Sequence, residues 1–241
     1  MILYLARTGY NPENIKSLAI LESFAYINKN TISKIKDTEY FLLDSGAYTY
    51  MAGKDASKID WEDYIDRYAE FINRTKVQNF IELDIDSIVG YEEVKRLRKI
   101  LEEKTGRKPI PVWHKSRGKD EFIKMCEDYD YVAIGGLVTK EIKRTEYRFF
   151  PWFIQQAHAH NAKIHALGLT NMDAIQKYHF DSVDSSSWSC GNRFGMVYKF
   201  TGNSIKQYVK PEGTRLKNSM EVGENNFREW VKFQYWAKDH L

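Results

Sequence analysis

The chain has 241 residues, of which 43% are hydrophobic and 29% are charged, so we expect a packed globular core and exclude intrinsic disorder. Its two cysteines, Cys126 and Cys190, belong to no C-x-x-C pair, which argues against a zinc ribbon or a disulfide framework. The formal net charge of +3 permits a polyanionic partner without requiring one.

The hydropathy of the chain predicts its cellular location. No apolar run reaches the roughly 18 residues of a membrane span, and the apolar start at residues 1–6 is too short for a signal peptide. We therefore expect a soluble protein of the cytoplasm. The length suits a single domain over residues 1–241, in which residues 201–241 form a C-terminal loop and closing helix.

Short β-type segments alternate with helical patterns along nearly the whole chain. Apolar spacing predicts helices at 60–76, 91–105, 151–161 and 225–238. This alternation is typical of a parallel sheet, and eight strands favour a closed (β/α)₈ barrel, a TIM barrel, over an open doubly wound sheet. The predicted strands are 3–6, 41–45, 80–84, 111–114, 131–136, 163–168, 182–184 and 196–200.

Chemically useful residues follow the predicted strands at their carboxyl ends, where barrel enzymes keep their catalytic groups. Capping of the following helices explains any single Asp or Ser, but it explains the complete set poorly. We therefore predict one shared site at the mouth of the barrel. The residues concerned are Asp44, Asp84, Asp86, His114, Gly135, Gly136, His165, Gly168 and Asp184.

Each residue type has a use in such a site. Carboxylates that converge on one mouth have their pKa values pushed apart, as a nucleophile and a general acid/base require. Gly135 and Gly136 let a flat ligand approach the backbone, and Tyr48 suits stacking on a planar ring. His158 and His160 are two apart on a predicted helix and face different sides, so we predict no metal and no cofactor.

Four short motifs occur in order along the chain. Residues 44–48 read DSGAY, 135–141 read GGLVTKE, 165–169 read HALGL and 180–185 read FDSVDS. They resemble, respectively, the motifs D-S-G-G-[FY], G-G-L-x-x-G-E, H-x-x-G-[IV] and [IV]-D-x-F-D-[CS] of the tRNA-guanine transglycosylases. The resemblance in order and spacing extends over residues from about 40 to 195.

The resemblance implies a (β/α)₈ barrel that exchanges guanine inside a nucleic acid for a 7-deazaguanine base. It makes Asp184 the nucleophile that attacks the anomeric carbon of the sugar, and Asp44 the general acid/base that handles protons on the two bases. Tyr48 would stack on the base. Asp86 would bind the guanine-like edge, with Asp84 as the close competitor.

The remaining contacts with the base follow from the same resemblance. His114 stands where the family usually has Gln, and Glu141 matches the glutamate that follows the family's G-G-L segment. The other predicted substrate contacts are Gly135, Gly136, Leu137, His165 and Gly168.

The segment after Asp184 indicates which nucleic acid is used. The tRNA enzymes continue there with a C-x-C-x₂-C…H zinc subdomain that helps to hold tRNA, whereas here Cys190 is the only cysteine. The shorter chain resembles the DNA-guanine transglycosylases of 7-deazaguanine DNA modification, which include virus-encoded enzymes. We therefore predict exchange on DNA, with tRNA as the alternative. The other predicted partners are the free 7-deazaguanine base and guanine, and a second copy or a partner subunit.

Basic residues follow several strand ends and suit the phosphates of a nucleic acid, although a solvated loop is the commoner explanation of any one cluster. They include Lys115, Arg117, Lys140, Arg144 and Arg193.

Two further hypotheses remain open. A non-catalytic barrel subunit that binds nucleic acid would need neither Asp44 nor Asp184, so the presence of both speaks against it. A barrel glycoside hydrolase could use the same two aspartates, but it would not need the Gly-Gly-Leu stretch that suits a flat base.

Overall fold

The computed structural model describes residues 1–6, 17–51, 59–189, 195–209, 211, 213 and 218–241. Arg193 lies outside these residues, so its predicted contact with nucleic acid stays a prediction. The same holds for the side chain of Tyr48, whose backbone belongs to a short helix.

Eight parallel strands form one curled sheet. The strands are β1 (Ile2–Ala6), β2 (Ala19–Ser23), β3 (Tyr40–Asp44), β4 (Asn79–Phe80), β5 (Val112–Trp113), β6 (Tyr131–Ile134), β7 (Lys163–Ala166) and β8 (Ser182–Ser185). Their order across the sheet is β4-β3-β2-β1-β8-β7-β6-β5, so the first and last of the eight pair in the middle. Beyond the two edge strands, an isolated parallel bridge joins Ile81 to Ile110.

Helices separate most of the strands, as the sequence pattern predicts. They are α1 (Lys29–Asp37), α2 (Ala47–Met51), α3 (Trp61–Thr75), α4 (Asp86–Val89), α5 (Tyr91–Thr105), α6 (Gly118–Asp128), α7 (Phe150–Ala159), α8 (Met172–Lys177) and α9 (Ser219–His240). Among the described residues, no helix is long and apolar enough to cross a membrane.

Local capping explains where two of the helices begin. Helix α3 begins after Asp60, whose carboxylate accepts hydrogen bonds from two N–H groups of the first turn, and the predicted helix at 60–76 is confirmed. Helix α9 begins six residues before the predicted start at 225, because the Asn218 side chain caps it by accepting from the N–H of Glu221 at 3.2 Å.

The prediction of a parallel α/β sheet is confirmed. The last predicted strand, 196–200, is confirmed as a strand, but its predicted place in the parallel sheet was wrong. Residues 196–200 form β9 (Met196–Phe200), which pairs in antiparallel fashion with β10 (Ile205–Val209) and packs on α9. A short connection with Gly202 at φ +97° makes this local pairing accessible. The eighth place in the sheet belongs to β2, a five-residue strand between Leu18 and Phe24 that the sequence pattern did not separate from its apolar surroundings.

Alternation of side chains along the strands separates two apolar layers. One lies on the inner face of the curled sheet and includes Tyr4, Leu21, Leu42 and Ala133; the other lies between the sheet and the helices and includes Leu3, Leu43, Ile164 and Val183. Asp184 pairs in register with Tyr4 of β1, and Asp44 lies two residues beyond Leu42 of β3. Both aspartates therefore face inward, at the carboxyl ends of their strands.

Candidate functional site

A cavity of about 790 Å³ opens at the carboxyl ends of the strands. This volume lies in the range of small-molecule binding sites. Its polar floor comes from different strands and includes Asp44, Asp84, His114 and Asp184. Besides Asp84 and His114, four more of the residues predicted to contact the base line it, namely Gly135, Gly136, Leu137 and Gly168.

Asp44 ends β3 and points into the cavity. Its Oδ2 accepts a hydrogen bond from the N–H of Gly46 at 3.0 Å. Gly46 adopts φ +83°, and a Cβ there would lie 2.6 Å from the Cβ of Ala25, so this turn requires glycine. Burial raises the pKa of Asp44 to about 6, and the charges of Asp184 and Asp84 add to this effect against the hydrogen bonds that favour ionisation. Asp44 can therefore both give and take a proton near neutral pH.

Asp184 lies at the end of β8 with one of its oxygens held. Oδ1 accepts from the N–H of Gly168 at 2.6 Å and lies 3.2 Å from Nε2 of His165. Among the described residues, no hydrogen bond reaches Oδ2. The carboxylate therefore has a fixed orientation and one oxygen available to a molecule in the cavity.

Gly168 brings its N–H to Asp184 because it carries no side chain. Its φ is +69°, and a Cβ there would lie 2.3 Å from Cγ2 of Val138. The glycine of the HALGL segment is thus explained by backbone geometry and by its bond to the aspartate.

His114 is held between two carboxylates. Its Nε2 lies 2.8 Å from Oδ1 of Asp84, and its Nδ1 lies 2.8 Å from Oε2 of Glu141. Burial alone would lower the pKa of His114, but the hydrogen bonds to the two carboxylates and the charge of Asp86 raise it to about 9. His114 is therefore an imidazolium at neutral pH, and it fixes one oxygen of Asp84.

Gly135 provides the room that this imidazolium needs. A Cβ at position 135 would lie 2.7 Å from Nε2 of His114 and 2.8 Å from Cγ1 of Val112. The two glycines of the GGLVTKE segment therefore differ in role: Gly135 accommodates the ring, and Gly136, at φ +78°, turns the chain along the side chain of Glu141.

Asp84 and Asp86, which competed in the sequence prediction, have different surroundings. Asp84 lines the cavity, whereas Asp86 begins α4 and lies 3.0 Å from Nη2 of Arg117. The Arg117 side chain is only 2% exposed and lies 4.1 Å from the centroid of the Tyr91 ring. Arg117 thus serves an internal ion pair, and we do not retain its predicted phosphate contact.

One group in the described part of the chain has potential metal-ligand atoms close together. Atoms of Asp84, Asp86 and His114 lie within 4.8 Å of one another, although their spacing in the sequence gave no such signal. The protein's own cations already neutralise this cluster, through the His114 imidazolium and the Arg117 guanidinium. We therefore assign no metal to it.

The predicted basic residues differ in availability. Lys140 and Arg144 lie exposed at the cavity, together with Lys143. Lys115 forms an ion pair with Glu146, at 2.5 Å, outside the cavity lining. His165 is fully buried beneath Asp184 and does not line the cavity, so its predicted substrate contact is replaced by a contact with the aspartate.

Two tyrosines that the sequence analysis did not identify also line the cavity. Tyr26 follows β2 and is 55% exposed, and Tyr147 stacks on Phe150 with a centroid distance of 4.6 Å. Recognition of β2 would have placed Tyr26 after a strand end, where the other site residues were sought.

The fold and the site define an α/β protein with two inward carboxylates and a clamped imidazolium around one cavity. Comparison of the chain with models of known protein families found no match, and comparison with curated proteins found no similar sequence.

Proposed function

We propose that the protein is a guanine transglycosylase that replaces guanine in DNA by a 7-deazaguanine base through a covalent aspartyl-sugar intermediate. One observation carries this proposal. Asp184, oriented by two N–H donors, and Asp44, whose pKa is raised to about 6 by burial, face the same cavity. A double displacement needs this division into a nucleophile and a proton carrier.

We extend the proposal to the architecture, as a (β/α)₈ barrel whose two sheet edges meet. The N–H of Glu82 donates to the carbonyl of Ile110 at 3.0 Å, and the N–H of Ile110 donates to the carbonyl of Phe80 at 2.8 Å. These bonds join the end of the edge strand β4 and the segment that follows it to the segment that precedes the edge strand β5. Catalytic groups at the carboxyl ends of the strands agree with this architecture.

In the first step, a carboxylate oxygen of Asp184 attacks C1′ of the sugar. The new C1′–O bond forms as the C1′–N9 bond to guanine breaks, and the electron pair of that bond leaves with the base. Asp44, in its acid form, gives its proton to the departing guanine. Guanine leaves as a neutral base, and the sugar stays attached to the protein.

In the second step, the 7-deazaguanine base occupies the emptied cavity. The Asp44 carboxylate takes the proton from N9, whose electron pair attacks C1′. The C1′–O bond breaks, and its electron pair returns to Asp184. Two inversions retain the configuration at C1′, as in retaining glycosidases.

We assign recognition of the base to other residues of the cavity lining. The His114 imidazolium holds Oδ1 of Asp84, which leaves the other oxygen to accept hydrogen bonds from the N–H groups of a guanine-like edge. Backbone groups of Gly136 and Leu137 supply further polar contacts, and the exposed Tyr26 ring offers a stacking surface. A flat base that leaves the helical stack can therefore be bound on its edge and its face.

Exposed cations beside the cavity support a nucleic acid as the substrate. Lys140 and Arg144 come from the segment between β6 and α7 and lie at the same cavity as the carboxylates. Phosphate groups that flank a flipped nucleotide would pass such a rim, and cations there would neutralise them.

Removal of the positive charges of Lys140 and Arg144 should weaken nucleic-acid binding more than removal of the same charge elsewhere on the surface. The double variant Lys140→Ala/Arg144→Ala is expected to bind an oligonucleotide more weakly and to reduce the slope of log K against log salt by about 2, because two phosphate contacts are lost. Titration at several salt concentrations measures this slope.

A matched control is Lys99→Ala/Lys124→Ala, which removes the same charge from exposed positions on α5 and α6. It should leave the slope near that of the wild type. Equal effects of the two double variants would show that net charge, not the rim, drives binding.

The decisive experiment supplies the protein with a panel of labelled 7-deazaguanines together with guanine-containing DNA or with tRNA. Incorporation of label into DNA, with release of one guanine for each base inserted, is the expected result. Incorporation into tRNA alone would reassign the substrate. Incorporation into neither, by folded protein that still binds nucleic acid, would favour a non-catalytic subunit and overturn the proposed reaction.

A further inference from the structure

A line of buried polar side chains leads from Asp184 into the interior of the sheet. Nε2 of His165 lies 3.2 Å from Oδ1 of Asp184, and Nδ1 lies 2.6 Å from Oγ of Ser182. The hydroxyl of Tyr131 lies 2.5 Å from the same Oγ. His165 and Ser182 are both fully buried, on the neighbouring strands β7 and β8.

The carboxylate at one end fixes the direction of the first hydrogen bond, and a neutral imidazole would then fix the others. A carboxylate can only accept, so Nε2 of His165 must carry the hydrogen that it shares with Asp184. In a neutral imidazole Nδ1 then accepts, so Ser182 donates its hydroxyl hydrogen to it. The Ser182 oxygen in turn accepts from the hydroxyl of Tyr131. With a neutral His165, every donor therefore points toward Asp184.

We propose that His165 is a positioning residue for Asp184, held as the neutral Nε2–H tautomer by the Ser182 and Tyr131 hydroxyls. Together with the N–H of Gly168 it fixes Oδ1, so that Oδ2 is the oxygen presented to the cavity. The functional consequence rests on the proposed role of Asp184 as nucleophile. The tautomer itself does not depend on that role.

Packing around His165 supports a fixed ring. Tyr4 of β1 meets the imidazole edge-on, with ring centroids 6.0 Å apart and an angle of 63°. The hydrogen bonds connect an aspartate, a histidine and a serine (Asp184, His165 and Ser182), as in enzymes with a serine nucleophile. Ser182, however, is fully buried and does not line the cavity. The line therefore serves the aspartate at the mouth, not the serine.

The first test needs no substrate. Long-range ¹H–¹⁵N spectra of histidine-labelled protein distinguish the two neutral tautomers from the imidazolium, and loss of one signal set in His165→Gln assigns the residue. We expect the Nε2–H tautomer in the wild type. In Ser182→Ala, where Nδ1 loses its donor, we expect the Nδ1–H form to become populated. An imidazolium or an Nδ1–H form in the wild type would overturn the proposal.

The second test separates positioning from packing. His165→Gln keeps an N–H that can reach Asp184, whereas His165→Leu keeps apolar volume and loses the donor. We expect kcat for base exchange to fall about 100-fold in the Leu variant and to recover most of this loss in the Gln variant, with KM for nucleic acid unchanged in both. His158→Leu, at a histidine that pairs with Asp181 on the outside, is the matched control.

The two tests distinguish a failure of the proposed function from a failure of the positioning role of His165. If no variant and no wild-type protein exchanges bases, the proposed function fails, and the tautomer spectra still decide the hydrogen-bond line. If the wild type is active and His165→Leu, shown to be folded by circular dichroism, is equally active, His165 has no positioning role. Should the Leu variant not fold, the comparison of His165→Gln with Ser182→Ala decides, since only the second is then expected to lose kcat.

Discussion

Asp184→Asn is expected to abolish base exchange, with a loss on the order of 10⁴-fold or more, because the amide cannot form the ester bond to C1′. The Asn Oδ1 can still accept from the N–H of Gly168 and from His165, so the fold should be preserved. Two measurements apply: release of guanine from the nucleic acid, and a denaturant-resistant adduct between protein and nucleic acid on gels. Both should disappear.

Asp181 offers a matched control three residues earlier in the chain. Its Oδ2 accepts from the N–H of Ile164 at 2.8 Å and lies 2.9 Å from Nε2 of His158, away from the cavity lining. Asp181→Asn should therefore keep both exchange and adduct. An adduct that persists in Asp184→Asn would show that another residue is the nucleophile.

Asp44→Asn is expected to slow exchange by about 10²- to 10⁴-fold while the protein still binds nucleic acid. The amide can neither protonate the departing guanine nor deprotonate the incoming base. In the wild type, kcat/KM for the nucleic acid should fall as the pH rises through about 6, since guanine departure uses the acid form of Asp44. This fall should be absent from the residual rate of the variant.

The stability that Asp44 contributes changes with pH in the same direction as this activity. Burial raises the pKa of Asp44 from 3.8 to about 6, so the stability linked to its proton is fully present below the unfolded value and is lost as the pH rises through about 6. Asn stays neutral throughout. The Tm difference between Asp44→Asn and the wild type should therefore grow in favour of the variant between pH 4 and pH 8, as differential scanning calorimetry would measure. A constant difference would contradict the raised pKa.

Several features of the site followed from local sequence pattern. Asp44 and Asp184 end short apolar strands, and side chains two apart on a strand share a face, so their meeting at one edge of a parallel sheet was predictable. Gly135 was also informative, because a glycine at a strand end indicates that another group packs directly against the backbone there. The structure identifies its neighbour as the His114 ring.

Other features depended on residues far apart in the chain. Arg117 reads as a surface cation, but the ion pairs with Asp86 and Glu82 and the contact with the Tyr91 ring bury it. Strand β2 is too short to be distinguished by pattern, and its place beside β1 and β3 is fixed by pairing across the sheet. The strand at 196–200 was predicted correctly but assigned to the wrong sheet, because its pattern suited the parallel sheet equally well and it pairs with its neighbour β10 instead.

The amino-acid sequence by itself determined the alternation of strands and helices and the residue types at the strand ends, because both depend on neighbours along the chain. Only the tertiary structure decided which of those residues meet. His165 reads as a substrate contact until the pairing of β7 with β8 places it beneath Asp184. Asp84 and Asp86 are two residues apart, yet only Asp84 lines the cavity, because the Arg117 guanidinium holds the other. Such choices arise from packing and charge pairing across the sheet, which local pattern does not encode.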